Sequence, residues 1–360
     1  MSYMTMDLSK LQENYRTLST EFERRGVSWA IVTKILCGNR EYLKAVLSLG
    51  ASQVCDSRVL NLKAIKKIDP SVETVFIKPP AKKTVPNVIR CADISLNTQV
   101  STIKLLSDEA VQQGKNHRVI IMVELGERRE GVPLGALPAF FNAVRALPNI
   151  EIIGIGTNLS CLFGVLPNRE KLLRLVSARD RLAEEFGVRI PFVSGGTSVT
   201  IPLMLSGALP AGINHFRVGD SLFLGSDVYN NSHLPGMHTD VFLLYAQIIE
   251  VNLKSPVPDG DMAKNLEGKE FQFDDSLRHE PTCRAIVDAG ILELEAAHAT
   301  PVLNGISIAG VTSDMCVLDL GNNPGDLKVG DYIAFSLDYM GVLRALSSKY
   351  VEKRIVNAEQ

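Results

Sequence analysis

VSWAIVTK, residues 27–34, decides the reading of the fold: an apolar, largely β-branched run ends directly on a lysine and is followed by the turn residues Cys37, Gly38 and Asn39. A strand apolar on both faces is one covered on both sides, as parallel strands under helices are. Working outward, the same kind of run returns as SQVCDS (52–57), TVFIK (74–78), ADISLN (92–97), RVIIMVEL (118–125), EIIGIGTN (151–158), IPFVSG (190–195) and NHFRVG (214–219). Helix-patterned stretches separate them, from EYLKAVLSLG to SVTIPLMLSG, each with Gly or Pro near its end. Eight strands in this rhythm are the count of a closed barrel. The expected fold class is therefore α/β, a (β/α)8 TIM-type barrel over residues 1–230.

The rhythm stops after Gly225. Runs such as VFLLYAQIIEVNL, TCRAIVDAGILEL, ISIAGVTSDMCVLDL and VGDYIAFSL, set between polar turns, predict a mostly antiparallel β domain over 231–360, with room for the first few residues of the chain to join it. SPVPDGDMAKNLEGKEFQFDDSLRHEP, 255–281, reads as a long irregular loop. The amino terminus, MSYMTMDLSKLQENYRTL, reads as an amphipathic helix and not as a signal peptide.

Over 360 residues, 46% hydrophobic and 22% charged, the net charge is −2, which offers neither nucleic acid nor anionic lipid a basic field. No apolar run approaches the roughly 20 residues of a membrane span. A small molecule is the expected partner. The six cysteines (Cys37, Cys55, Cys91, Cys161, Cys283, Cys316) form no CxxC pair, so neither a disulfide framework nor a zinc ribbon is indicated, and a cytoplasmic location is expected.

Barrel chemistry sits at the carboxyl ends of the strands. Lys34, Asp56, Lys78 and Asn97 end the first four, Glu124 with Arg129 beyond it the fifth, and Asn158 the sixth. Polar residues begin wherever solvent begins, so this count alone says little. More telling are SGGTS (194–198) after the seventh strand and RVGDS (217–221) in and after the eighth. Small residues with free backbone amides at a helix start suit an anion, and phosphate sites after strands seven and eight recur in this architecture. Either turn alone can merely reverse the chain; the two together point to phosphate. A lysine amine facing a phosphate-bearing cofactor can condense with an aldehyde carbon. Pyridoxal 5'-phosphate has both groups, and it uses Lys34, SGGTS and Arg217 together.

On these residues the chain resembles the alanine-racemase-like, fold type III pyridoxal-phosphate enzymes, in their ornithine racemase branch. VTKILCG around Lys34, CDSRVLNL (55–62), ADISLN (92–97), VELGERREG (123–131), GTNLSC (156–161), SGGTS, GINHFRVGDSLFLG (212–225), TSDMCVLDLG (312–321) and LDYMGVLRALSSKYV (337–351) carry the resemblance in order along most of the chain. It implies a cofactor-dependent amino-acid racemase, acting on ornithine or another basic or polar amino acid by two-base transfer of the α-proton. Lys34 would hold the cofactor and serve as one acid/base group. Arg217 would face the pyridine nitrogen, and Ser194, Gly195, Gly196, Thr197, Gly219 and Asp220 the phosphate. Arg129 would lie near the phenolic oxygen and the substrate carboxylate, and Asn158 beside the ring.

The chain also departs from that pattern. Alanine racemases carry a tyrosine four residues after the lysine, where Gly38 stands here, and they supply the opposing base as a tyrosine of the partner subunit's second domain, of which 255–281 has none. Asp314 is the leading substitute, with Cys316, Tyr339 and His279 behind it. The resemblance further implies a head-to-tail homodimer. Two alternatives share the scaffold: a metal-dependent D-amino-acid aldolase or dehydratase, disfavoured because the six histidines form no ligand cluster in the sequence, and a non-catalytic pyridoxal-phosphate-binding protein, whose single-domain relatives lack a second domain such as the 135 residues after Gly225 supply. No metal site is expected.

Overall fold

In a computed structural model, which describes residues 2–265, 268 and 270–357, the chain divides into two compact units. One comprises Asp7–Val241, the other residues 2–6 with Phe242–Val356.

The first unit is a β/α barrel. Its parallel strands run Ser28–Val32, Gln53–Asp56, Glu73–Phe76, Ile94–Asn97, His117–Glu124, Ile150–Gly156, Phe192–Ser194 and His215–Val218, in that order around the sheet. The ring closes through the seventh strand, which is interrupted at Gly195: Phe192–Ser194 pairs with the sixth strand, while Gly196–Thr197 pairs with the eighth. Inward-facing apolar residues alternate with helix-facing ones along each strand. Ala30, Val32, Cys55, Val75, Ile94, Leu96, Ile120, Met122 and Ile153 fill the centre, so the barrel is a packed core and the chemistry is left to its ends. All eight runs read from the sequence are strands, within two residues of their expected starts.

The helices follow their sequence signals. Arg169–Phe186 starts at Asn168, whose side chain accepts from Lys171 N, and stops at Gly187 in the left-handed region at φ 62. Leu8–Arg24 starts at Asp7, which accepts from Lys10 N at 3.1 Å, and buries Leu11, Asn14, Leu18 and Phe22 on one face. Asn14 is fully buried because its amide spans the backbone carbonyls of Leu222 (3.1 Å) and His238 (2.9 Å).

The helix expected from the first residue onward begins only at Leu8. Tyr3–Asp7 is a strand, antiparallel to Phe242–Lys254 with Met4 opposite Leu244 and Met6 opposite Phe242. Met4 and Met6 alternate onto one face and are fully buried, which favours a strand by roughly 1.5–3 kcal/mol per side chain. A helix would turn them apart. The strand Phe242–Lys254 also pairs antiparallel with Thr282–Val287 and Tyr332–Leu337, and Cys316–Gly321 and Ser307–Val311 extend the sheet, again antiparallel. Among the described residues, 255–281 holds only the short 3-10 turn Asp275–His279; residues 266, 267 and 269 of that loop, like Met1, lie outside them.

Candidate functional site

Three strand ends that carry candidate residues are neighbours in the sheet. The eighth strand, with Arg217, pairs on one side with Ser28–Val32, which leads to Lys34, and on the other with Gly196–Thr197 of SGGTS. Arg217 stands in register with Ala30 and Thr197. The barrel thus gathers an amine, a guanidinium and two glycine turns onto adjacent strands, from positions nearly 200 residues apart.

Lys34 leaves the first strand as the start of a 3-10 turn, Lys34–Leu36, with its side chain exposed above buried Ile35 and Leu36. Cys37 (φ 50) and Gly38 (φ 75) then take the left-handed conformation. Beneath the turn lies Asp56, fully buried, which accepts from Thr33 Oγ1 (2.9 Å), Arg58 N (2.8 Å) and Asn61 Nδ2 (3.1 Å). Desolvation raises the Asp56 pKa even against these bonds. Its oxygens serve the turn, so Asp56 is no receptor for a substrate ammonium. Gly38 now has a physical reason: a Cβ there would run into the Asn61 amide that holds Asp56.

Arg217 is 4% exposed. Nη2 donates to Thr157 O at 2.8 Å, and Nη1 donates to Ser194 O at 3.1 Å and to Ser194 Oγ. Burial lowers its pKa, yet a guanidinium remains a donor. The glycines of SGGTS have packing duties as well: a Cβ on Gly196 would enter the Phe216 ring, and one on Gly195 would meet Ile213 Cδ1 at 2.8 Å. Gly219 lies 3.0 Å, measured from the place of a Cβ, from Val32 O, and Asp220 opens the short helix Asp220–Leu224.

Arg129 is held by its neighbours. Nε and Nη2 donate to the two carboxylate oxygens of Glu130, and Nη1 reaches Cys161 Sγ at 2.6 Å. The Glu130 contact is the main reason its pKa is raised. Asn158, half-buried, follows the sixth strand in the loop that also presents Cys161. Asp314 belongs to the other unit, exposed in the turn between Ser307–Val311 and Cys316–Gly321, where Ser313 Oγ donates to it at 2.6 Å. Cys316 is fully buried and its thiol is pushed up to about 12 by desolvation, so its surroundings disfavour the thiolate and leave it no exposed surface to offer a ligand. Tyr339 begins the helix Tyr339–Ser347 half-buried, and His279 is exposed.

Glu127 escaped the sequence reading. It is 2% exposed, and its carboxylate accepts from the backbone N–H groups of Ser160 (3.1 Å), Cys161 (2.8 Å), Leu162 (2.5 Å), Phe163 (3.0 Å) and Val165 (3.1 Å). Burial pushes its pKa up, but the amides of Phe163, Cys161, Leu162 and Val165 together outweigh that and bring it below the ordinary value. One side chain therefore fastens the loop of Asn158 and Cys161 to the segment of Arg129. The signal was present, since VELGERREG and GTNLSC had both been singled out, but only contact joins them.

A β/α barrel with these groups at adjacent strand ends is an enzyme scaffold of the cofactor-binding class. Residues 6–227 match the family described as "Alanine racemase, N-terminal domain". Over 354 residues the chain is 34% identical to the ornithine racemase of Acetoanaerobium sticklandii, covering 98% of this chain and 99% of that protein. It is 29% identical to the lysine racemase of Thermotoga maritima, with 97% of each chain covered. An alanine racemase from Bartonella henselae, solved with covalently bound pyridoxal phosphate, shares the fold at a TM-score of 0.73 and 17% identity, over 99% of both chains. The chain belongs to the alanine racemase N-terminal-domain family. It is an isomerase of the amino-acid racemase type.

Proposed function

We propose that the protein racemises a basic amino acid, ornithine first among the candidates, with pyridoxal 5'-phosphate as cofactor. The observation that carries this reading is the adjacency of Lys34, Arg217 and SGGTS on three neighbouring strands. The donor set fits the cofactor: an exposed amine for its aldehyde, a buried guanidinium for its ring nitrogen and two glycine turns for its phosphate. The full-length similarity to an ornithine and a lysine racemase supports a substrate with an amine on its side chain. Bound there, pyridoxal phosphate would supply an electron-withdrawing ring that acidifies the substrate's α-hydrogen.

The chain's own groups do the rest. Lys34 Nζ takes a proton from, or gives it to, one face of the α-carbon, and a second group does the reverse on the other face, so no net proton is gained or lost. We assign the opposite face to Asp314, contributed across a head-to-tail dimer by the partner subunit. Arg217 would orient the ring nitrogen with Nε, which its bonds to Thr157 and Ser194 do not use, and its guanidinium is too basic to give that nitrogen a proton. Thr197, with the backbone amides of Gly195, Gly196, Gly219 and Asp220, would hold the phosphate, while the Ser194 hydroxyl, expected there too, is fully buried and engaged by His215 and Arg217; Arg129 and Asn158 would flank the ring and the substrate carboxylate. A cytoplasmic location accords with six free cysteines, and no helix among the described residues is long and apolar enough to cross a membrane.

The test is α-hydrogen exchange in deuterated water together with chiral chromatography, over a panel of D- and L-amino acids, with Lys34→Ala and Asp314→Asn alongside the wild type. Both enantiomers of ornithine should exchange and interconvert, Lys34→Ala should abolish both, and Asp314→Asn should slow interconversion equally in the two directions while one enantiomer, the one whose α-hydrogen faces Lys34, still exchanges with solvent. Interconversion confined to neutral amino acids would refute the substrate assignment. Cofactor absorbance without exchange of any amino acid would refute the racemase reading itself.

A further inference from the structure

We propose that His215 is a positioning residue: as a neutral ring protonated on Nε2, it turns the Ser194 hydroxyl so that its lone pairs face Arg217, linking that guanidinium to a carboxylate at the far end of the barrel. The proposal rests on the reading of Arg217 as the group facing the cofactor's ring nitrogen.

The assignment follows from donors and acceptors alone. Gln53, Glu73 and His215 begin their strands, and Gln53 stands in register with Glu73 at the end of the barrel opposite Lys34. The Gln53 amide nitrogen donates to Glu73 Oε2, while Arg118 Nη2 lies 2.7 Å from Glu73 Oε1. A carboxylate accepts only, so the orientation of the Gln53 amide is fixed with its Oε1 outward. That oxygen lies 2.7 Å from His215 Nε2, which must then carry the hydrogen. At the other side of the ring, Nδ1 lies 2.7 Å from Ser194 Oγ. Arg217 Nη1 already donates to Ser194 Oγ, so the hydroxyl hydrogen is free to point only at Nδ1. Every bond therefore runs the same way, from Arg217 through Ser194, His215 and Gln53 to Glu73.

A charged imidazole would break this order. Nδ1–H would compete with Arg217 for the Ser194 oxygen, and two cations would face one hydroxyl. His215 is fully buried, meets Phe192 edge-on at 5.1 Å between ring centroids, and has Arg217 two residues further along the same inward face. Its pKa is pushed down to about 3, by desolvation first and by Arg217 second. Aligned bonds that end on a carboxylate polarise one another, so Ser194 Oγ becomes a stronger acceptor and the buried guanidinium gains part of a counter-charge through its hydrogen bonds, beside the through-space effect of Glu130. A negative group placed directly on Arg217 would instead compete with the ring nitrogen.

Nitrogen-15 NMR of cofactor-free protein labelled at histidine reads the ring directly, with its signal assigned by its loss in His215→Asn. Between about pH 5 and pH 8 the expected pattern is protonated Nε2, unprotonated Nδ1 and no titration. A ring protonated on Nδ1, or one that charges near pH 6, would overturn the proposal whatever reaction the protein catalyses. In cofactor-loaded protein, His215→Leu should lower kcat about tenfold with KM within about twofold, and should change the pH response of the cofactor's visible absorbance. His215→Asn, whose carbonyl can still accept from Ser194, should recover more than half of that loss. Wild-type kcat and absorbance in a folded His215→Leu would also overturn it, while activity on a different amino acid would leave the ring's role standing and correct only the substrate.

Discussion

Glu127 shows how much one carboxylate can hold. Five backbone N–H groups of a single loop converge on it, adding the charge to a loop whose own closing bond is Ser160 N–H to Val165 O at 3.0 Å. Its pKa lies below the ordinary value, so the stabilisation is complete above the unfolded pKa of about 4.3 and is lost as pH falls through the folded value. Glu127→Gln leaves a single oxygen for five donors and should cost about 1–3 kcal/mol at neutral pH. Urea unfolding of both proteins should show that gap at pH 7 and its closure as pH falls through the wild type's lowered folded value, where Glu127 loses its own charge. An equal gap at both pH values would mean that shape rather than charge secures the loop. The same variant should cleave faster between residues 160 and 165 in limited proteolysis.

At the scale of elements, the turn after the first strand explains why the lysine stands where it does. Val32 is core, Thr33 is tied to Asp56, and Lys34 is the first side chain to emerge, on a turn whose return at Cys37 and Gly38 needs positive φ. Gly38→Ala would put a methyl group into the Asn61 amide on a backbone that β-carbons disfavour. We expect a loss of about 1–3 kcal/mol, partly regained in Gly38→Ala/Asn61→Ala, as measured by thermal unfolding. A fully additive double variant would mean that the two residues do not meet. The tyrosine that alanine racemases carry at this position cannot be accommodated here while Asn61 holds Asp56. The barrel strands were legible because being apolar on both faces leaves a signal in every run. The Arg217 to Glu73 chain was not, for its members come from four strands, and only the spacing of His215 and Arg217 in HFR hinted that both side chains point inward.

Across the whole molecule, the chain starts in one unit, passes through the other and returns. The strand Tyr3–Asp7 was hidden because YMTMD alternates for only five residues before Asp7 caps a helix, and a helical reading absorbs so short an alternation. Its partner lies more than 230 residues downstream, which no local pattern can show. If residues 3–6 belong energetically to the antiparallel sheet, the loss should stay in that sheet. Met4→Ala removes a fully buried side chain opposite Leu244 and should cost about 2–4 kcal/mol. Native-state hydrogen exchange separates the units without assuming that they unfold together. Protection should fall for amides of Phe242–Lys254 and Tyr332–Leu337 and remain for His117–Glu124 at the barrel's centre. An equal fall in all three strands would show that the two units open as one cooperative body, and that the opening residues of the chain stabilise the barrel as much as the sheet they pair with.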